Sequence, residues 1–531
     1  MTRLFLFLSA IFLLATGTAD AAICLPAVIS DHAVLQADKP IAIWGWSEPR
    51  ARITVAFELD GASRPEQGFA ATSDSAGRWS GRLPALAAGA TGRLLVTSDK
   101  EAPKTVSDLV VGEVWLGGGQ SNMVYDIAGT MGGDFKNPVE VAQIERNIAV
   151  AQREAASAPQ PIRYFEVARL GSKWPADDVD GHWVRADSRN VQTFSAVAWN
   201  FAVALQGRLH VPVGLIVSCM GGSHVEVWMP PETIRATSVG PAVMARYDEL
   251  LTGMILKVKT HHEADLKAWY AANPTAELQL KNLATQPALV STATFRSLPG
   301  RLYNGMIHGL EPYTLRGVIW YQADGDINTP LEYGELFQAL IRKWRADWAE
   351  PLPFYFVEMN NMLEDRQTRP VQPHNLCLIR EQQHAGLLQP GTGMVAAVDV
   401  GTKNAHFPDK KPVGERLAHL ALRECYHLPM GEVNGPLYRA FRVEGSRVRL
   451  SFADAGGLRV RGGGELKGFA IRGASGDWVW ASGKIEGPGI VVWSDKVPSP
   501  VAVRYAWAAN PVISVENDAG LPLYPFRTDT N

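Results

Sequence analysis

The sequence predicts an α/β protein in which a parallel sheet carries helices on both faces and lies between two β-rich regions. Apolar strand-like runs alternate with helical segments through the middle of the chain, which is typical of a parallel sheet. Short runs of alternating polar and apolar residues, broken by turns, precede and follow this part. A length of 531 residues corresponds to roughly three or four domains.

The composition excludes several classes of protein. Hydrophobic residues make up 46% of the chain and charged residues 20%, with a formal net charge of -3. This balance excludes a disordered chain and argues against nucleic acid as a partner, because no basic excess is present to neutralise phosphates. Many turns, from 49 glycines and 34 prolines, and 16 tryptophans are expected of a β-rich enzyme that handles sugars.

Residues 1–21 have the pattern of a secretory signal peptide. Arg3 supplies a positive charge, an apolar run follows over residues 4–15, and Ala19-Asp20-Ala21 matches an A-x-A cleavage site. The run is shorter than the roughly 20 residues that span a membrane. We therefore expect an exported protein, periplasmic or secreted, that starts near Ala22 and does not insert into a membrane.

Three units are expected after the signal peptide. An N-terminal β module covers residues 22–107, an α/β domain covers 108–430, and a second β region covers 431–531. A segment without strand signals, at about 231–299, interrupts the α/β domain, and a helix is expected within it near 263–284. The strand candidates of the α/β domain are residues 113–116, 162–167, 213–218, 317–321, 353–358 and 394–400.

A serine lies at the expected carboxyl end of the first of these strands. Strand 113–116 runs into Gly117-Gly118-Gly119-Gln120-Ser121, where the glycines allow a tight turn. Ligands bind at this edge of open α/β sheets. Ser121 is therefore a candidate nucleophile, which needs a base and donors for an oxyanion. The alternative is a turn in which Ser121 only caps a helix.

Four separated blocks carry a resemblance to a known family. They are Gly112-Glu113-Val114-Trp115-Leu116 with Gly119-Gln120-Ser121-Asn122-Met123; Gly221-Gly222 with Glu226-Val227-Trp228-Met229; Trp320-Tyr321-Gln322; and His406 with Val413-Gly414-Glu415-Arg416-Leu417-Ala418. In this order they resemble the sialate O-acetylesterase-like family of SGNH (GDSL-type) hydrolases, and residues 25–36 resemble that family's opening β module. The resemblance implies a flavodoxin-like three-layer α/β/α domain, carbohydrate O-acetylesterase activity, and neither a metal nor another cofactor.

The resemblance also implies roles for individual residues. Ser121 would attack the acetyl carbonyl, and His406 would act as general base and then as acid. The backbone N–H groups of Ser121 and Gly222 would stabilise the oxyanion. The residues expected to contact the substrate are Gln120, Glu226 and Trp228. The tryptophans expected to stack on sugar rings are Trp44, Trp46, Trp228 and Trp320.

The third block departs from the family pattern. The family usually has W-Y-Q-G-E-x-N, whose asparagine is a third oxyanion donor, and this chain has Trp320-Tyr321-Gln322-Ala323-Asp324-Gly325-Asp326-Ile327-Asn328. Asp326 replaces the asparagine in an ungapped alignment, and Asn328 does so after a two-residue insertion. An ionised Asp326 would repel an oxyanion and could donate only when protonated. Asp326 and Asn328 both stay candidates, with Gln322 as a further donor.

The carboxylate that orients the histidine is displaced as well. SGNH enzymes commonly place an aspartate three residues before the histidine, where this chain has Lys403. Asp399 is the nearest upstream carboxylate and the first choice, and Asp409 follows the histidine. The alternative is a dyad in which Asn404 or a backbone carbonyl holds the ring.

Two functional hypotheses result. The first is an exported carbohydrate O-acetylesterase that acts on acetylated oligosaccharides or polysaccharides, such as xylan or xyloglucan, or on sialic acids. The second is a catalytically degenerate glycan-binding homologue. Ester hydrolysis by wild type and by Ser121→Ala separates them, because only an enzyme loses activity with its nucleophile.

Overall fold

The described part of the chain comprises residues 22–61, 67–130, 137–272 and 298–529 of a computed structural model. The predicted signal peptide, residues 1–21, lies outside it. Among the described residues no helix is both long and apolar enough to cross a membrane.

The chain begins with strands that alternate buried and exposed side chains. In the third strand Ile53, Val55 and Phe57 are buried and their neighbours face outward, as the period of two requires. The strands are β1 Val34–Gln36, β2 Ile41–Trp46, β3 Arg52–Leu59, β4 Gln67–Thr72, β5 Arg78–Leu83, β6 Thr91–Ser98 and β7 Lys104–Gly119.

Strand β7 links this β region to the next part of the fold. Its first half pairs with β6, and its second half continues into the sheet that follows. The boundary expected at residues 107 and 108 therefore falls inside one strand, and the two parts share a continuous hydrophobic core.

The middle of the chain alternates helices and strands. Its helices are α1 Ser121–Val124, α2 Pro138–Ser157, α3 Ala196–Leu209, α4 Pro231–Arg235, α5 Gly240–Ala272, α6 Pro330–Trp348, α7 Asn375–Gln383 and α8 Lys411–Glu424. Its further strands are β8 Ile162–Glu166, β9 Trp183–Arg185, β10 Val213–Cys219, β11 Gly317–Tyr321, β12 Phe354–Val357 and β13 Thr392–Val395.

These strands form one sheet in the order β13-β12-β11-β7-β10-β8-β9. All neighbours pair in parallel except the edge strand β9. Without β8 and β9, the order of the remaining strands is that of a flavodoxin-like sheet, with the first strand between the second and the third. The extra pair extends one edge.

Helices cover both faces of the sheet. Residues an odd number of positions apart on a strand point to opposite faces, so Trp115 and Gly118 of β7 face different layers. Trp115 packs edge-on against Phe201 of α3, with ring centroids 5.1 Å apart. Trp320 lies beside Gly118 in register and packs against Trp344 of α6 at 5.6 Å. The predicted three-layer α/β/α fold is confirmed.

The segment at about 231–299 is helical where the structure describes it. Helices α4 and α5 occupy its first part, and no strand lies among its described residues. The helix expected near 263–284 coincides with the end of α5, and residues 273–297 lie outside the described part.

The last hundred residues form a second β region with its own core. Its strands are β14 Leu437–Glu444, β15 Arg447–Ala453, β16 Arg459–Val460, β17 Phe469–Gly473, β18 Val479–Trp480, β19 Ser482–Glu486, β20 Gly489–Trp493, β21 Pro500–Tyr505, β22 Val515–Glu516 and β23 Phe526–Arg527. Two four-stranded sheets have the orders β14-β15-β20-β19 and β18-β17-β21-β23.

A buried arginine joins this β region to the α/β part. Arg380 of α7 is 1% exposed, and its guanidinium donates to four backbone carbonyls. They are those of Met359, Asn360, Ala508 and Ala509. Because a buried guanidinium requires its donors to be satisfied, Arg380 fixes the loop at 508–509 against the loop that follows β12.

Candidate active site

Ser121 stands at the carboxyl edge in the middle of the parallel sheet. Strand β7 ends at Gly119 with a φ of 130°, and a Cβ there would lie 2.2 Å from the carbonyl oxygen of Tyr321. Only glycine allows this turn. The N–H of Gln120 then donates to that carbonyl at 2.9 Å, and Ser121 opens α1 with 8% exposure.

The Gly221-Gly222 turn follows the neighbouring strand. Cys219 of β10 lies in register with Gly119, and the N–H of Met220 donates to the Gly119 carbonyl at 3.0 Å. Gly222 has a φ of 68° and is exposed, with open space where a side chain would project. Its N–H is thus carried on an open turn beside the serine strand, and its role as an oxyanion donor stays a prediction.

Gln120 joins the serine turn to the turn after β11. Its side-chain Oε1 accepts from the N–H groups of Ala323 at 3.3 Å and Gly325 at 3.0 Å. Its Nε2 donates to Asp324 Oδ2 at 3.4 Å. Because Gln120 is 1% exposed and its amide is occupied, its expected contact with substrate is wrong; it positions the turn.

Asp324 is a site residue that sequence reasoning missed. It is a half-buried carboxyl group at the serine turn, and burial raises its pKa above the ordinary value. A signal was available, because in the ungapped alignment Asp324 takes the position of the glutamate in W-Y-Q-G-E-x-N.

Two of the three side-chain candidates for the oxyanion are occupied elsewhere. Gln322 donates both N–H groups of its amide, to Ser223 O at 2.9 Å and to Asp326 Oδ2 at 2.6 Å. The Asp326 carboxylate also accepts from the N–H of Val225, and both side chains are buried. Gln322 and Asp326 therefore hold two turns together, and these hydrogen bonds argue against both as oxyanion donors. Asn328 is exposed, and its role stays a prediction.

The other expected substrate contacts are buried in the core. Glu226 is 1% exposed and accepts from the Tyr247 hydroxyl at 3.0 Å. Trp228 and Trp320 are 0% exposed and pack edge-on at 5.9 Å, and Trp44 is buried against Tyr313. Stacking of Trp228 or Trp320 on a sugar is therefore excluded, whereas Trp44 is 8% exposed and its contact with sugar stays a prediction. Trp46 is half-buried, and its contact with sugar stays a prediction.

The His406 loop is fastened to the serine helix. Asn122, which follows Ser121, donates from Nδ2 to the carbonyl of Ala405 at 3.3 Å. The His406 ring stacks on Tyr125 with centroids 6.4 Å apart. Ser121 and His406 are thus brought to the same helix from opposite ends of the domain. Their side chains are not hydrogen-bonded to each other here, and in free enzymes such bonds are often long.

The two carboxylates considered as the acid that orients His406 are Asp399 and Asp409, and they have different partners. Asp399 is bound bidentately by Arg416 at 2.7 and 2.8 Å and by Arg461 at 2.9 Å, and these charges hold its pKa below the ordinary value against the effect of burial. Its assignment as the orienting acid is wrong, because both oxygens belong to an ion pair. Asp409 accepts from the N–H of Lys411 at 3.3 Å.

Among the described residues no carboxylate is hydrogen-bonded to the His406 ring. Asn404 accepts from the backbone N–H of His406 at 3.0 Å, so the amide fixes the loop and not the imidazole. Burial first, and the charge of Lys410 second, lower the pKa of His406. The imidazole therefore stays neutral, as a base must, to a lower pH than an exposed histidine.

Lys410 is the second residue that sequence reasoning missed. It is 1% exposed, and its Nζ donates to Asn122 Oδ1. The ammonium lies 3.4 Å from the ring centroid of Phe407, 5.0 Å from Tyr125 and 5.9 Å from Tyr321. Burial lowers its pKa well below the ordinary value, while the three rings favour the charged form. We call Lys410, Asn122, Tyr125 and Phe407 the lysine site.

Comparisons with known proteins identify what this chain is similar to. The family described as "carbohydrate esterase, sialic acid-specific acetylesterase" matches residues 289–423, which include the 320–328 turn and His406. The sialate O-acetylesterases of Mus musculus and Homo sapiens are 26% identical to the chain over 460 and 445 residues. These alignments cover 80% and 77% of this chain and 77% and 72% of the relatives.

A solved structure is similar over almost the whole chain. A carbohydrate acetylesterase from Xanthomonas citri has 32% sequence identity and a TM-score of 0.76. The match covers 96% of this chain and 100% of that one.

Proposed function

The chain belongs to the sialate O-acetylesterase family of carbohydrate esterases and is an acetylesterase, and we propose that it deacetylates glycans with Ser121 as nucleophile and His406 as general base. The observation that carries this assignment is the bridge between them. Helix α1 begins with the serine, and Asn122 in this helix and Tyr125 directly after it hold the histidine loop.

The reaction follows from these positions. His406 takes the proton of the Ser121 hydroxyl as its Oγ attacks the acetyl carbonyl carbon. The tetrahedral oxyanion accepts hydrogen bonds from the N–H groups of Ser121 and Gly222. The protonated imidazole then donates to the departing sugar oxygen, which leaves an acetyl-serine. Water attacks this ester with His406 again as base, and acetate is released.

In this proposal the histidine works without an orienting carboxylate, since none of the described residues supplies one to its ring. The stacked Tyr125 ring and the Asn122 bond to Ala405 restrict the position of the loop, which replaces part of what an aspartate contributes in a triad. The imidazolium that forms after proton transfer lacks a neighbouring negative charge, so we expect a smaller rate than a full triad gives.

The proposed substrates are O-acetylated oligosaccharides or polysaccharides, such as xylan or xyloglucan, or O-acetylated sialic acids, and the proposed location is outside the cytoplasm. The names of the relatives support an acetylated sugar, and the leader-like pattern of residues 1–21 supports export.

Acetate release tests the proposal. Wild type, Ser121→Ala and the exposed control Ser157→Ala are compared on acetylated xylan, acetylated xyloglucan oligosaccharides and O-acetylated sialic acid. We expect release from at least one substrate by wild type and the control and none by Ser121→Ala. Equal release by Ser121→Ala would overturn the assignment of the nucleophile.

A further inference from the structure

Two buried carboxylates and a histidine meet directly after the Gly221-Gly222 turn. His224 Nδ1 lies 3.7 Å from Asp326 Oδ1 and 3.9 Å from Glu226 Oε1. One ligand atom from each side chain can be chosen so that all three lie within 4.8 Å of one another. We call these three residues the carboxylate site.

Among the described residues, no lysine or arginine lies within hydrogen-bond distance of the two carboxylates of this site. Glu226 is 1% and Asp326 2% exposed, and Glu226 Oε2 is buried without a hydrogen-bond partner. The guanidinium of Arg246 is 4.0 Å from Glu226, but it is bound bidentately to Glu332 at 2.9 and 2.7 Å. Buried carboxylates require a partner, either a proton or a cation.

We propose that His224, Glu226 and Asp326 bind one divalent transition-metal ion. An imidazole nitrogen with two carboxylate oxygens is a donor set that suits Zn²⁺. Ligand atoms about 2.1 Å from a tetrahedral ion are roughly 3.4 Å apart. The distances of 3.7 and 3.9 Å around His224 Nδ1 therefore need only small rotations to close on the ion.

Neighbouring groups favour this use of the site. The His224 side chain is 36% exposed, so an ion reaches the ligands from solvent without opening the core. The N–H of Val225 and the Gln322 amide both donate to the Asp326 carboxylate, as the outer hydrogen bonds of metal ligands commonly do.

The bound ion would stabilise the Gly221-Gly222 turn and would take no part in the reaction. His224 and Glu226 follow β10, whereas Asp326 follows β11, so one ion joins the two turns that flank β7. Gly222 is two residues from His224. The ion thus restricts the turn that carries the Gly222 N–H, which is consistent with a reaction that needs no metal.

Calorimetric titration tests the proposal. Zn²⁺ is titrated into tag-free, chelator-treated full-length chain, and we expect one bound ion per chain. His224→Ala and Asp326→Asn should each weaken binding at least about tenfold. The matched control is His308→Ala, because His308 stands 3.4 Å from only one carboxylate, that of Glu311, and this variant should bind as wild type does.

Ser121→Ala should also bind Zn²⁺ as wild type does, so failure of the catalytic assignment and failure of the metal site give different results. Saturating Zn²⁺ should raise the melting temperature of wild type and not that of His224→Ala. Equal binding by wild type and His224→Ala would overturn the proposal. So would the lack of any Zn²⁺ or Mn²⁺ binding at about 1 mM, the weak limit of protein cation sites; the two carboxyl groups would then share a proton.

Discussion

The carboxylate site and the lysine site are two buried charged regions near Ser121. Among the described residues, the first lacks a bonded cation and the second lacks a bonded carboxylate. In the carboxylate site, no lysine or arginine in the described part of the chain is hydrogen-bonded to Glu226 or Asp326, and burial and the charge of Glu226 raise the pKa of Asp326. In the lysine site, the buried Nζ of Lys410 contacts an amide and aromatic rings, and no carboxylate among the described residues is bonded to it.

The difference shows where the catalytic machinery of this chain is held. On the histidine side, the loop is positioned by the buried side chain of Lys410 acting through Asn122. Lys410 occupies Asn122 Oδ1, which leaves Asn122 Nδ2 to face the Ala405 carbonyl. On the other side, acids and amides fix the turns that follow β10 and β11. No carboxylate of the described residues is bonded to the histidine ring. Neither region therefore supplies the acid that orients the histidine in a catalytic triad.

The largest effect is expected from the two reacting groups, Ser121 and His406. Ser121→Ala and His406→Ala should each lower kcat by at least about a thousandfold, and the double variant should lose little more, because nucleophile and base act as a unit. Steady-state kinetics on p-nitrophenyl acetate, with melting temperatures to confirm folding, measure this. Additive losses would show that the two side chains act independently.

Replacement of Lys410 tests the role of the lysine site on the histidine side. Lys410→Met should lower kcat by about tenfold to a hundredfold, because the loop that carries His406 loses its anchor. The charge of Lys410 lowers the pKa of His406, so its loss should move the acidic limb of the kcat/KM profile to higher pH. A pH series of initial rates measures the shift.

Lys411→Met is the matched control for that experiment. Lys411 is the next residue, its side chain is 46% exposed, and it lies 3.4 Å from Glu154. Its removal should leave the acidic limb in place. An unchanged limb in Lys410→Met as well would show that Lys410 is neutral and acts only through packing.

Asp399→Asn should have a small effect on kcat and a large effect on the free energy of unfolding. Breaking its buried ion pair with Arg416 and Arg461 should cost about 3 to 5 kcal/mol of unfolding free energy, while kcat of folded Asp399→Asn should change less than about tenfold. Since the folded pKa is lowered, this stability is present above the unfolded pKa and is lost as the pH falls through the folded pKa. Urea unfolding and kcat of Asp399→Asn beside Asp409→Asn measure both.

The smallest effect is expected at Asn328. Its exposed side chain forms no hydrogen bond with any described residue, and two backbone N–H groups already serve the proposed oxyanion site. Asn328→Ala should therefore change kcat less than about threefold. A loss of roughly 3 kcal/mol in transition-state stabilisation would instead make Asn328 the third donor.

Local patterns predicted the sheet and the serine turn, because both follow from local properties. Strand periodicity placed β7, β10 and β11, and the glycines before Ser121 marked a turn that no other residue allows. Asp399 was misassigned because both of its partners are distant in sequence, Arg416 in helix α8 and Arg461 in the C-terminal β region, 62 residues away along the chain. Sequence distance to the histidine gave no information about that pair.

Burial was the other property that local patterns did not show. Lys410 stands beside Lys411 and shortly before a proline, a pattern typical of an exposed helix start, yet it is 1% exposed and packs on three aromatic rings. Trp228 was expected from the sequence to stack on sugar, but it lies in the core and packs on Trp320. In both cases the environment depends on segments that are distant in sequence.

Covalent labelling tests the central claim most directly, the claim that Ser121 is the nucleophile and His406 its base. The full-length chain is treated with a fluorophosphonate probe, and the adduct is located by peptide mass spectrometry. We expect one adduct, on Ser121, that forms much more slowly in His406→Ala because the hydroxyl keeps its proton. An adduct on another residue, or equal labelling rates in wild type and His406→Ala, would contradict the account.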